Sequence, residues 1–79
     1  MQDLNDLYYF VKAVEYGGFA PAGRELGIPK SKLSRRIAVL EERLGVRLIQ
    51  RSTRHFQVTE IGERYFEHCS AMLIEAEAA

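Results

Sequence analysis

Seventy-nine residues leave room for one small core, because a chain of this length buries only about 60% of the surface its unfolded form exposes; a second domain is excluded, and a partner chain is a reasonable source of extra stability. No apolar run approaches the roughly 18 residues of a membrane span, the N-terminus lacks the basic-then-apolar order of a secretory leader, and the single cysteine, Cys69, can form no internal disulfide, so a cytoplasmic protein without membrane contact is expected. The formal net charge is zero but unevenly placed: from Arg24 to Arg54 nine Lys or Arg face three acids, leaving +6, while residues 1–23 carry −2 and residues 55–79 carry −4, which would hold a polyanion over the middle of the chain.

Leu4, Leu7, Phe10, Val11 and Val14 recur at three- and four-residue steps, predicting an amphipathic helix over roughly 3–16 that ends at Gly17-Gly18. Phe19 to Leu26 predicts a short second helix: Pro21 is tolerated in a first turn, Phe19, Ala22 and Leu26 point one way, and Gly27 closes it. Ile28-Pro29-Lys30-Ser31 has the length of the turn joining the two helices of a helix-turn-helix. The third helix, 31–44, carries Leu33, Ile37, Leu40 and Leu44 at steps of four, three and four, a single buried seam, with Gly45 as its stop.

Beyond Gly45, Val46-Arg47-Leu48-Ile49 and Phe56-Gln57-Val58 read as the two strands of a wing around the polar run 50–55. Thr59 is a good N-cap, and Ile61, Tyr65, Cys69, Met72 and Ala76 mark one face of a last helix that runs to the end of the sequence. Such a helix is longer than so small a core needs, as a linker into a longer protein would be. The expected architecture is therefore mainly α: a winged helix-turn-helix over 1–58 with a three-helix core and a two-stranded β wing, then a long C-terminal linker and dimerisation helix over 59–79.

With the leucine and isoleucine seam turned inward, helical geometry brings Ser31, Ser34, Arg35 and Ala38 to the outside of the third helix. Ser31, Ser34 and Ala38 are short enough to let a backbone approach base edges, and Arg35 can offer a bidentate fork to guanine. Lys30, Ser31, Ser34 and Arg35 are the candidate base contacts, and Lys32, Arg36, Arg51, Thr53 and Arg54 the candidate DNA-backbone contacts, with the last three at the wing tip. Arg24 and Arg47 stand open between surface cations and structural ion pairs with Glu25, Glu41 or Glu42.

His55, His68 and Cys69 do not form a chelating pattern, so neither metal nor cofactor is expected. Cys69 on an apolar stripe reads as packing, and Tyr8, Tyr9, Tyr16 and Tyr65 as core edge or dimer surface. No nucleophile stands with a base, and no glycine-rich phosphate loop is present, so an enzyme is not expected. The alternative is a protein-docking winged helix whose basic face is incidental; an RNA-binding version lacks aromatic platforms for unstacked bases.

The chain resembles the N-terminal domain of the LysR-type transcriptional regulators from Leu4 to about Cys69. The resemblance lies in Phe10-Val11 with Val14-Glu15, Gly18-Phe19-Ala20, Leu33-Ser34-Arg35-Arg36-Ile37, Leu40-Glu41 with Leu44-Gly45-Val46, Leu48 with Arg51, and Val58-Thr59 with Gly62. It implies a sequence-specific binder of double-stranded DNA that dimerises through its last helix (Ile61, Tyr65, Cys69, Met72, Ala76) on an inverted-repeat operator. It also implies a ligand-binding regulatory domain in the full protein, a tetramer there, and RNA polymerase as a further partner. Where relatives often have Ala-Ala, a Ser or Thr helix cap, and Leu-Phe, this chain has Ala22-Gly23, Pro29 and Leu48-Ile49; Lys30 and Lys32 replace residues often uncharged in relatives.

Overall fold

The computed structural model describes residues 4–51 and 54–78. Four helices follow one another: α1 (Leu4–Tyr16), α2 (Phe19–Leu26), α3 (Lys30–Leu44) and α4 (Glu60–Ala78). The first lies at the centre, because its apolar stripe is wide enough to meet the other three: Leu7, Phe10, Val11 and Ala13 are all buried, and α1 packs against α2, α3 and α4. Ala22 of α2, Leu33, Ile37 and Leu40 of α3, Leu48 and Ile49 beyond it, and Cys69 of α4 close the same core. Fully burying each large aliphatic or aromatic side chain contributes about 1.5–3 kcal/mol, so this one cluster accounts for the cohesion of the domain.

Turn chemistry sets the helix ends. Gly27 and Gly45 each adopt the left-handed conformation at φ 73°, and their N–H groups return to the carbonyls of Gly23 and of Glu41 and Glu42 respectively, so each satisfies orphan carbonyls of the helix it ends. Helix α3 starts one residue earlier than the sequence suggests, at Lys30, with the extended Pro29 as its N-cap. Proline has no side-chain acceptor, and the cap is made by the main chain: the Lys32 and Leu33 N–H groups donate to the Pro29 carbonyl at 3.1 and 3.2 Å. Thr59 caps α4 as expected, its hydroxyl accepting the Gly62 N–H at 2.9 Å and donating to the Arg47 carbonyl at 2.7 Å.

Two expectations differ from what the described residues show. The two-stranded wing reduces, among the described residues, to a single antiparallel bridge between Ile49 and Val58, flanked by Gln50 N–H to Gln57 carbonyl (2.8 Å) and Thr59 N–H to Leu48 carbonyl (2.9 Å). The cause is local. Successive N–H groups of an extended strand point to opposite sides, but those of Leu48 and Ile49 both donate to one carboxylate oxygen of Glu41, at 2.7 and 3.0 Å, which bends the chain there and prevents pleating before Ile49.

The second concerns the face of α4. Its inward stripe is Gly62, Phe66, Cys69 and Leu73, at steps of four, three and four, with Tyr65 packed at its border 5.8 Å from the Phe10 ring. Ile61 and Met72 are 51% and 48% exposed, Ala76 is exposed, and Cys69 is buried within its own domain, so the expected dimer stripe is divided between core and surface. Alternating Ala, Glu and apolar residues make several helical stripes arithmetically possible, and contact with α1 selects one.

Gly62 is where α4 crosses the bent segment: a Cβ there would land on the Leu48 carbonyl and lie 2.6 Å from Val58 Cγ1. Gly62→Ala is expected to lower the unfolding free energy by about 1–3 kcal/mol through overpacking, measured by denaturant titration.

Candidate nucleic-acid interface

Viewed from outside, α3 is a ridge between two flanks. Lys30, Ser31, Lys32 and Arg35 are exposed along it, and Ser34 and Ala38 are half-buried at its edge. Nothing in the described chain covers Ser31 or Arg35, so the ridge is accessible in the register that the periodicity of α3 predicts.

A buried acid anchors each flank. On the α1 side Asp6, 4% exposed, accepts from Arg36 Nε at 2.8 Å and lies 3.6 Å from Arg43 Nη1, while the Arg36 guanidinium also lies 5.3 Å from the centre of the Tyr9 ring. On the other side Glu41, equally buried, accepts the Leu48 and Ile49 amides on one oxygen, and on the other it receives Arg51 Nη2 at 2.9 Å, with Arg47 at 3.8 Å. Arg51 also donates to Ser34 Oγ at 3.2 Å and sits over the Phe19 ring.

The ion pairs therefore sort the basic residues. Arg36, Arg43, Arg47 and Arg51 face buried carboxylates. Lys30, Lys32, Arg35 and Arg54 make no ion pair within the described residues, and they lie on the ridge or beside it. The open question at Arg47 resolves to a long pair with Glu41, while Arg24 has no ion pair among the described residues. A surface groove of about 400 Å³, bordered by Pro21, Lys30, Arg51, Arg54 and His55, connects the start of the ridge with the segment around Arg54, the far arm of the domain. Thr53 lies outside the described residues.

This architecture and charge layout coincide with a known pattern. The profile described as bacterial regulatory helix-turn-helix protein, lysR family, matches residues 4–63. The chain belongs to the LysR family. It is similar to an HTH-type transcriptional regulator of Xanthomonas campestris pv. campestris (49% identity over 98% of this chain and 22% of that protein) and to an HTH-type transcriptional repressor of Pseudomonas aeruginosa (42% identity over 92% and 23%). Among solved structures, a crystal structure of the BenM DBD in complex with catB site 1 DNA superposes with a TM-score of 0.93 at 34% identity, covering 98% of this chain and 83% of that one. The CrgA regulator of Neisseria meningitidis superposes at 0.80, with 38% identity over 99% of this chain and 26% of that one. The LysR-family chain thus spans about a quarter of the length of the curated relatives it matches, and it is a DNA-binding helix-turn-helix domain of that family. No described helix is long and apolar enough to cross a membrane, and no described cluster of three or more His, Cys, Asp or Glu could hold a metal ion.

Asp6 is the residue that sequence reasoning missed, and of Glu41 it offered a possible ion pair but not its burial or its main-chain partners. Glu41 had a readable signal: it lies four residues after the buried Ile37 and seven after Ser34, hence at the border between the inner seam of α3 and its outer ridge. Burial pushes its carboxyl up, but the Arg51 hydrogen bond, the Ile49 and Leu48 amides and the Arg51 charge together outweigh burial and hold it below the ordinary value of 4.5. The buried Cys69 thiol is pushed up by burial, partly offset by its hydrogen bond with Tyr65, whose hydroxyl is pushed up to about 12 by burial and by Cys69; both stay protonated core groups at neutral pH.

A depressed carboxylate stabilises the fold above its unfolded-state value, and that contribution is lost as pH falls through the folded-state value. Glu41→Gln is therefore expected to flatten the acid limb of the stability profile and to lower stability at neutral pH by about 1–3 kcal/mol. Denaturant unfolding across the acidic and neutral range measures both effects.

Proposed function

We propose that this LysR-family domain binds double-stranded DNA sequence-specifically, with α3 in the major groove and the arm around Arg54 against the phosphate backbone, as part of a transcription regulator in the bacterial cytoplasm. The observation that carries the reading is the sorting of cations: those on both flanks face buried acids, two arginines to each acid, while Lys30, Lys32, Arg35 and Arg54 make no ion pair among the described residues and lie where a duplex would lie. Cations without an ion pair among the described residues, set in one stripe, suit a polyanion, and short residues at Ser31, Ser34 and Ala38 let the helix backbone approach base edges. In this reading Lys30, Ser31, Ser34 and Arg35 face bases and Lys32 and Arg54 face phosphates, while Arg36 and Arg51 hold the frame.

The unit that binds is a dimer on an inverted repeat, its half-sites about one helical turn (roughly 34 Å) apart or a multiple of it. Exposed apolar residues on α4, Ile61 and Met72, together with Ile74 at 66% exposure, supply the dimer contact. The wing, the division at Thr59 into DNA-binding and linker units, a regulatory domain beyond residue 79 and contact with RNA polymerase belong to the same reading.

Arg35→Ala is expected to cost about 1–3 kcal/mol and to relax base preference at one position, whereas Arg54→Ala should weaken all duplexes alike and reduce the salt slope by about 1. Selection from a random duplex pool followed by titration at several salt concentrations measures both, and a flat salt response would favour the protein-docking alternative. Ile61→Glu combined with Met72→Glu should shift sedimentation equilibrium toward monomer with the helical spectrum unchanged; an unaltered dimer would exclude this face of α4.

A further inference from the structure

Resting on the duplex-DNA reading, we propose that Arg51 is a positioning residue that sets Ser34 as a hydrogen-bond donor toward the duplex. The Arg51 guanidinium lies where three elements meet. Nη2 donates to Glu41 at 2.9 Å, Nη1 donates to Ser34 Oγ at 3.2 Å, and the guanidinium carbon is 5.3 Å from the centre of the Phe19 ring, which meets Phe56 edge-on.

A guanidinium carries only donors, so in the contact with Ser34 the hydroxyl oxygen must accept. The Ser34 hydrogen is thereby kept off the cation, which leaves it the Lys30 carbonyl one turn back in α3 or the outer side of a ridge whose neighbours Ser31 and Arg35 are exposed, and an acceptor on a duplex lying there draws it outward. A lone pair remains on Oγ, but the adjacent positive charge makes it a poor partner for the amino hydrogens of cytosine or adenine. Ser34 is left to donate to acceptors: guanine N7 or O6, adenine N7, thymine O4, or a phosphate oxygen.

Arg51 itself does not swing out to the DNA. Leaving would take from the Glu41 carboxylate, 4% exposed, its hydrogen-bonded cation and leave it only the longer pair with Arg47 at 3.8 Å. The segment after α3 thus controls a reading residue on α3 without touching the duplex.

A double-mutant cycle tests this, with wild type, Ser34→Ala, Arg51→Lys and the double variant titrated against a tight duplex from the random pool. Lysine keeps the charge near Glu41 but is a point donor without the fork that reaches two partners in plane. Each single variant is expected to lose about three- to tenfold in affinity, and the double variant no more than either single. Ser34→Thr, which retains the hydroxyl, should retain most of the affinity. A purely structural Arg51 would lower affinity by the same factor with or without the Ser34 hydroxyl, so additive losses overturn the proposal, as does an Ser34→Ala variant that binds like wild type.

The source of the acceptor separates in the same experiment. A base-edge acceptor makes Ser34→Ala flatten the preference at one base pair. A phosphate leaves all preferences intact, and one methylphosphonate in the duplex then abolishes the difference between wild type and Ser34→Ala. Thermal unfolding records the folded fraction of each variant; if Arg51→Lys does not fold, Glu41→Gln with Arg51→Gln, which removes both charges together, takes its place in the cycle. Absence of salt-dependent duplex binding by wild type overturns both readings, whereas tight wild-type binding with additive losses overturns this one alone.

Discussion

One buried carboxylate, that of Glu41, holds the parts of this domain in register. It receives two successive main-chain amides and an arginine, and these partners belong to the segment that follows α3. A charge so deeply placed is stable only when its hydrogen-bonding capacity is filled, so the chain beyond Gly45 must return to α3 at this point. The bend at Leu48 and Ile49, the short bridge to Val58 and the approach of α4 over Gly62 follow from that return.

The same interaction explains why charge is uneven on the surface of a neutral chain. Asp6 and Glu41 are buried beside the flanks of α3, and each draws arginines that would otherwise extend the basic stripe around the helix. The positive field is thereby weakened on the flanks relative to the ridge and the segment around Arg54. A narrow basic stripe orients a duplex better than a uniformly basic helix, because a broad stripe would accept many rotations of similar energy.

The division of labour between α3 and the segment after it is also physical. Helix α3 can present short side chains and one long fork outward because its inner seam, Leu33, Ile37 and Leu40, is fully buried and fixes its rotation. Rotation alone does not set the direction of a serine hydroxyl. That requires a neighbour with fixed polarity, which Arg51 supplies while tied to Glu41 and stacked on Phe19.

Much of this was legible in the sequence, and the reason lies in periodicity and turn chemistry. The seam of α3, the stripe of α1, the glycine stops at Gly27 and Gly45 and the Thr59 cap are local properties, set by side-chain spacing and by backbone conformations that few residues adopt. They placed the helices and exposed the ridge, and with the family pattern they identified a helix-turn-helix of the LysR type. What sequence alone did not reveal concerns partners far apart along the chain. Asp6 meets Arg36 across 30 residues and Arg51 meets Ser34 across 17, and the charge on each residue says nothing about which opposite charge it will face. The rotation of α4 was ambiguous for a related reason: several of its stripes are apolar enough to bury, and only packing against α1 selects Gly62, Phe66, Cys69 and Leu73. Tertiary structure decided which cations are engaged and which remain available, because burial of an acid depends on three-dimensional neighbours that no local pattern encodes.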